Sequence, residues 1–334
     1  MSLIPDASVR LIVTSPPYPM IQMWDGIFSD LDRSGDIQES LAEGDGGIAY
    51  LKMHEILNRT WKECDRVLAD GGWICVNMGD AVRKTGDRFQ LYPNHSQIIN
   101  CFSGLGYSVY PDIHWRKPTN APNKFMGSGM YPAGAYVTLE HEYILIFRKG
   151  DKRKFRESER ALRQESAYFW EERNNWFSDL WELNGISQNV HMEPAENAGR
   201  KRNASFPLEV PLRLVYMYSI KGDIVLDPFA GFGTTGLACM IANRNSIGNE
   251  IDETVAAAAI RNLTKPSDEL NNLIDQRILN HKIYIDRLSA DKKSKCYFNP
   301  AHGFLVKTKQ EISIRINHIQ RISLCGDHVL CSYR

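Results

Sequence analysis

The sequence predicts an α/β layered fold, on three observations. Residues 9–13 (VRLIV) are an apolar, β-branched run that stops at Ser15-Pro16-Pro17, as a buried parallel strand entering a rigid turn does. Helix-like and strand-like segments then alternate as far as Phe147, the rhythm of a layered sheet. After Phe206-Pro207 the rhythm resumes, with a Gly-rich turn between an apolar run and a helical one, which reads as a second βαβ unit.

In chain order, residues 21–47 hold seven acidic residues, one basic residue and five glycines, so a solvated, mobile excursion is expected there. Residues 50–68 place Leu51, Ile56, Leu57, Trp61 and Val67 at helical intervals, and Gly71-Gly72 ends that element before a strand at 73–78. Asp80 is read as a helix cap. A helix at 96–102 and strands at 107–115 and 142–147 follow. Residues 148–163 carry eight basic and three acidic residues, and an aromatic stretch comes next (Tyr168, Phe169, Trp170, Trp176, Phe177, Trp181). The α/β rhythm breaks here, so a separate insertion is expected. A helix at 210–219, a strand at 224–226, a helix at 234–242, a strand at 246–251 and an alanine-rich helix at 255–263 complete the pattern, and 270–309 stays unassigned. The expected division is 1–150, 151–204 and 205–334.

At about 150 residues per domain, 334 residues suggest two domains. A composition of 43% hydrophobic and 24% charged excludes collagenous, coiled-coil and disordered classes. There is no apolar run long enough for a membrane span, and MSLIPDASVR has no export-signal character, so a cytoplasmic protein is expected. The seven cysteines include no C-x-x-C pair and are read as reduced thiols, and the nine histidines show no ligand spacing, so no metal is expected. Forty basic residues balance forty acidic ones, leaving local patches to decide any nucleic-acid contact.

Two motifs carry chemistry. Thr14-Ser15-Pro16-Pro17-Tyr18 stands at the carboxyl end of a strand, where open α/β sheets bind ligands. An exocyclic amine on a base is a poor nucleophile because its lone pair is delocalised into the ring. Acceptors aimed at its hydrogens localise that pair and later accommodate the departing proton. Ser15 Oγ and the Pro16 carbonyl suit that task, Pro16 and Pro17 fix the backbone that holds them, and Tyr18 is placed to stack on an extruded base. The second motif runs Asp227-Pro228-Phe229-Ala230-Gly231-Phe232-Gly233-Thr234-Thr235-Gly236. Gly231 and Gly233 let a ligand approach the backbone, the amides near Thr234 and Thr235 suit a carboxylate, and Glu250 at the end of the next strand suits ribose hydroxyls. Because Gly231, Gly233 and Gly236 also spell G-x-G-x-x-G, a nicotinamide oxidoreductase is a competing reading.

In this order and at this separation, T-S-P-P-Y and D-P-F-A-G-F-G-T-T resemble the beta group of DNA amino-methyltransferases. Gly71-Gly72, Glu142 to Phe147, Asp179-Leu180-Trp181, Phe206-Pro207 and Ile247 to Ile251 extend the resemblance over most of the chain. It implies a Rossmann-like, circularly permuted sheet with helices on both faces, S-adenosylmethionine as cofactor, duplex DNA as substrate and a DNA-recognition region between the motifs. Ser15, Pro16, Pro17 and Tyr18 would handle the base, and Asp227, Pro228, Phe229, Gly231, Gly233, Thr234, Thr235 and Glu250 the cofactor. Serine where most adenine-modifying relatives have aspartate makes the chain look like an N4-cytosine enzyme of a restriction-modification system, beside a cognate restriction endonuclease. N6-adenine methylation and a non-catalytic DNA-binding subunit are the alternatives. Transfer would be direct and in-line, so no cysteine serves as nucleophile.

Relatives carry a strand ending in Gly-Asp upstream of the catalytic strand, whereas this sequence has only eight residues before Val9. Residues 322–327 (ISLCGD) have that character, so the C-terminal strand is expected to return to the sheet and set Asp327 near the cofactor adenine. For DNA phosphates the candidates are Arg116 and Lys117, with Asn120, Asn123 and Lys124 in the same loop, then Lys152, Arg153, Lys154 and Arg156, and Arg200, Lys201 and Arg202. The tryptophans between the last two clusters are read as core. A monomer or homodimer is expected.

Overall fold

The structure is a computed structural model that describes residues 1–117, 132–134, 136–183 and 206–334. The order is β1 (Val9–Thr14), α1 (Asp25–Leu31), α2 (Asp36–Glu43), α3 (Gly46–Val67), β2 (Leu68–Met78), β3 (Ala81–Thr85), β4 (Arg88–Tyr92), α4 (Asn94–Gly104), β5 (Ser108–Arg116) and β6 (His141–Arg148). Then come α5 (Glu157–Glu165), α6 (Trp170–Trp176), β7 (Leu180–Glu182), α7 (Glu209–Tyr218), β8 (Ile224–Asp227), α8 (Thr234–Ala242), β9 (Asn245–Gly248) and α9 (Glu253–Leu263). The chain ends with α10 (Asp268–Asp286), α11 (Ala290–Lys293), β10 (Tyr297–Asn299), β11 (Phe304–Val306), β12 (Ile319–Cys325) and β13 (His328–Tyr333).

Seven strands form one sheet in the order β7-β5-β6-β2-β1-β8-β9, parallel except for β6. β1 is apolar nearly throughout because it lies at the centre of that sheet with both faces covered. Leu11 and Val13 belong to one core with α7, α8 and α10, and Val9 and Ile12 to the other with α3 and α4. Each such side chain, once buried, contributes roughly 1.5–3 kcal/mol. Because β1 and β8 are adjacent and parallel, with Leu11 opposite Val225 and Ile12 opposite Leu226, both motifs leave the sheet at the same carboxyl edge. No helix among the described residues is long and apolar enough to cross a membrane.

Three expectations change. Residues 21–47 are not a loose excursion: α1 and α2 bury Phe28 and Ile37 in the α3 core, and Asp25 at the head of α1 is bound by Arg83 on β3. The break expected after residue 150 is not structural either. β7 pairs with β5 at the sheet edge, and Phe169 and Trp181 are core side chains, so 151–183 is built into the main body and only 184–205 falls outside the described residues.

The third correction concerns the C-terminus. Among the described residues β12 and β13 pair only with each other, Gly326-Asp327 is their exposed turn, and β9 remains the edge of the main sheet. Both strands are exposed on much of their length, unlike the fully covered strands of the sheet centre. Their inner face docks on α8 and α10, through Tyr333 OH donating to Met240 O at 2.9 Å and paired bonds between Asn271 and Ile319. The C-terminal strand therefore does not complete the sheet, and Asp327 stands on the exposed turn of a separate hairpin instead of at the end of a sheet strand, contrary to the expectation that set it near the cofactor.

Candidate active site

The catalytic turn begins where β1 ends. Thr14 Oγ1 donates to Asp227 Oδ1 at 2.6 Å, a buried bond between residues 213 apart in sequence. Asp227 also accepts from Thr235 Oγ1 at 2.7 Å and from the Phe229 amide at 3.1 Å. Burial outweighs these three donors and pushes the Asp227 carboxyl up to about 6. This carboxylate holds the two turns side by side.

Ser15 Oγ lies 3.1 Å from Tyr18 OH, and Tyr18 donates to Glu142 Oε2 at 2.9 Å. Asn77 Nδ2 donates to Glu142 Oε2 at 2.7 Å and to Tyr18 OH at 2.8 Å, with Ser15 Oγ at 3.4 Å. Lys117 Nζ donates to the other oxygen of Glu142. Burial, reinforced by the Glu142 charge, raises the Tyr18 phenol well above its ordinary range, so it stays protonated. Gly79 fits against the Tyr18 ring, where a Cβ would stand 2.9 Å from Cε2.

Asn94, at the start of α4, secures the far side of the turn. Its Nδ2 donates to Pro19 O and Gly79 O, each at 3.0 Å, and its Oδ1 accepts from His54 Nε2 at 3.0 Å. Burial lowers His54 to about 4, so this imidazole is neutral. Asp80 caps the same helix, accepting the His95 amide at 3.1 Å, as the sequence suggested.

The cofactor turn is held locally. Gly231 has φ +51° and Gly233 φ +83°, the left-handed region that only glycine enters without strain, and Gly233 leads directly into α8. Glu250 Oε2 accepts the Gly231 amide at 2.9 Å, fixing a carboxylate beside the turn. Above Gly231 nothing but its own Phe229 carbonyl lies within reach of an added Cβ. Asn249 Nδ2 is buried without a hydrogen-bond partner among the described residues. An open glycine surface, an oriented carboxylate and a spare amide donor fit the ribose and polar groups of an adenosyl cofactor, with Thr234 and Thr235 at the helix start and Pro228 and Phe229 shaping the wall.

The structure thus brings Ser15, Pro16, Pro17 and Tyr18 to one edge with Asp227, Pro228, Phe229, Gly231, Gly233, Thr234, Thr235 and Glu250. It separates the basic candidates. Lys152, Arg153, Lys154 and Arg156 follow β6 at the amino edge of the parallel strands, and Arg153 is bound to Asp223 and Glu159, each at 2.6 Å. They stand at the opposite end of the sheet from the catalytic turn. Arg116 is exposed at the carboxyl edge near Glu140 and Glu182, whereas Lys117 is turned inward to Glu142. Asn120, Asn123, Lys124, Arg200, Lys201 and Arg202 lie outside the described residues.

Sequence reasoning missed Asn77, Asn94, Glu142 and the inward role of Lys117. Asn77 had a signal: it is the polar residue in the apolar strand WICVNM, and it is 2% exposed. Glu142 stands out in the sequence only as the first residue of a strand.

The N6/N4 DNA methylase family model matches residues 9–261. The chain is 49% identical over 319 residues to the type II methyltransferase M.MthZI of Methanothermobacter thermautotrophicus, covering 95% of this chain and 87% of the relative. It is 48% identical over 264 residues to the type II methyltransferase M.MjaI of Methanocaldococcus jannaschii, covering 76% and 85%. A Thermus thermophilus protein described as a putative DNA modification methylase, solved with S-adenosyl-L-methionine, superposes with a TM-score of 0.58 at 31% identity over 80% of this chain and 89% of its own. The cytosine-N4-specific PvuII DNA methyltransferase gives a TM-score of 0.50 at 20% identity over 83% and 88%, a likeness of fold.

Proposed function

The chain belongs to the N6/N4 DNA methylase family, and from that membership we propose that it methylates the exocyclic N4 of a cytosine extruded from duplex DNA. It is a type II DNA amino-methyltransferase of the restriction-modification kind, with S-adenosylmethionine as cofactor. The preference for cytosine rests on Ser15 at the head of the catalytic turn. The observation that supports the reading is the 2.6 Å bond from Thr14 to Asp227, which joins the T-S-P-P-Y turn to the D-P-F-A-G-F-G turn.

When bound, the cofactor supplies a methyl group on a sulfonium. Glu250 would hold its ribose, and the glycine turn would admit it to the backbone. Ser15 keeps one lone pair free to accept an amine hydrogen, which localises the nitrogen pair for in-line attack, and Tyr18 flanks the base. The cysteines have no part in this chemistry. Burial raises the thiols of Cys64, Cys75 and Cys239 far above their ordinary range, which leaves them protonated and inert.

Arg116 and the Arg200-Lys201-Arg202 cluster are the proposed phosphate contacts, so binding should weaken steeply with salt. The proposed setting is the cytoplasm, protecting DNA from a cognate restriction endonuclease. The test is nucleoside mass spectrometry of DNA incubated with protein and S-adenosylmethionine. N4-methylcytosine is the expected product; N6-methyladenine would overturn the choice of base and keep the amine chemistry.

A further inference from the structure

The polar atoms behind the catalytic turn form one directed chain. An ionised carboxylate only accepts hydrogen bonds, so the 2.9 Å contact runs from the Tyr18 hydroxyl to Glu142 Oε2. Tyr18 has no second hydroxyl proton, so the 3.1 Å contact with Ser15 runs from the serine hydroxyl to the tyrosine oxygen. Every O–H in the series therefore points from the surface of the turn towards Glu142. Asn77 grips the tyrosine oxygen and the carboxylate together, and Lys117 binds the remaining carboxylate oxygen. The Glu142 side chain is 14% exposed, a buried position that a carboxylate occupies only when partnered in this way.

We propose that Ser15, Tyr18 and Glu142 form a proton relay that carries away the proton released by the methylated amine, with Glu142 as its terminal acceptor and Asn77 and Lys117 as positioning residues. The relay rests on the reading of this protein as an amino-methyltransferase and applies to either base. As the N–CH3 bond forms, the S–CH3 bond of the cofactor breaks and its electron pair stays on sulfur. The nitrogen gives one proton to Ser15 Oγ, Ser15 passes its own hydroxyl proton to Tyr18, and Tyr18 passes its own to Glu142 Oε2. The amine ends neutral and the carboxylate ends as the acid, which returns its proton to solvent before the next turnover. The titratable and charged groups facing Glu142 are Tyr18 from the catalytic turn and Lys117 beyond β5, while β2 presents the neutral Asn77.

The test is single-turnover methyl transfer at saturating cofactor and DNA, followed across pH. The wild-type rate should fall towards acid pH. Glu142→Gln should be roughly 100-fold slower and lack that acid limb, with cofactor and DNA affinities within about threefold of wild type. Glu142→Asp should restore the acid limb at reduced rate. Tyr18→Phe should slow transfer comparably with the carboxylate still present. In cofactor-free protein carrying 13C-labelled glutamate, Tyr18→Phe should shift the Glu142 carboxyl resonance. Glu142→Gln that transfers within threefold of wild type with its acid limb intact would overturn the relay. So would Gln and Asp variants impaired equally with one pH profile, the mark of a scaffold. A wild-type protein that transfers no methyl group to DNA would defeat the functional reading itself, a distinct result.

Discussion

The catalytic and cofactor turns sit side by side on β1 and β8, yet they are held by opposite means. The cofactor turn is local: two glycines with positive φ, a helix start and a carboxylate nineteen residues on shape residues 227–236. The catalytic turn owes its geometry to distant partners, Asn77 on β2, Glu142 on β6 and Asn94 at the head of α4. A binding surface made of backbone is built from the chain at hand. Hydroxyls that must be aimed need side chains brought in by the fold, so chemistry at one turn depends on the whole sheet and binding at the other does not.

The severest way to break the comparison is to remove what the turns share. Asp227→Ala leaves the Thr14 and Thr235 hydroxyls and the Phe229 amide without their buried acceptor, and should cost about 3 kcal/mol in denaturant unfolding while impairing both functions. Asp227 also predicts a pH dependence. Its folded value of about 6 lies above the roughly 3.9 of an unfolded aspartate, so its stabilising contribution is complete below pH ~4 and is lost as pH rises through 6. The stability of Asp227→Asn, compared with wild type, should lack this decline between pH 4 and 6.

Two glycine substitutions should then separate the turns. In Gly79→Ala the new Cβ meets the Tyr18 ring at 2.9 Å, so transfer should slow about tenfold or more while calorimetric cofactor affinity holds. In Gly233→Ala the left-handed backbone is strained by about 1 kcal/mol or more, so cofactor affinity should fall by about fivefold or more and transfer at saturating cofactor should recover. An inverted pattern would mean that the two turns are not independent. The smallest effect belongs to Asp327→Ala, on an exposed turn of a separate hairpin: unfolding stability should stay within about 0.5 kcal/mol and cofactor affinity should not change.

The same contrast explains what could be read from the sequence. Asp227 to Gly236 carries its constraints in consecutive residues, and α8 begins and ends where the pattern put it, at Thr234 and Ala242. The period of α3 and the apolar run of β1 were legible for the same reason. Glu142 resembles any polar residue opening a strand until β6 pairs with β2 and sets it beside Asn77 and Tyr18. Lys117 looked like a phosphate contact because its neutralising carboxylate is 25 residues away in the chain. Residues 151–183 looked inserted because charge and aromatic clusters hide the three-residue strand β7 that ties them to the sheet. Asp327 misled in the other direction: a Gly-Asp after an apolar run names a turn but not the sheet it belongs to.

The most direct test of this division of labour is Ser15→Ala, with calorimetric cofactor affinity and single-turnover transfer measured on the same preparation. The Ser15 hydroxyl is hydrogen-bonded to Tyr18 and Asn77, on the catalytic side, so affinity should match wild type within about twofold while transfer falls by roughly 100-fold. Transfer at the wild-type rate, or a loss of cofactor affinity as large as the loss of rate, would contradict the assignment of amine chemistry to the catalytic turn.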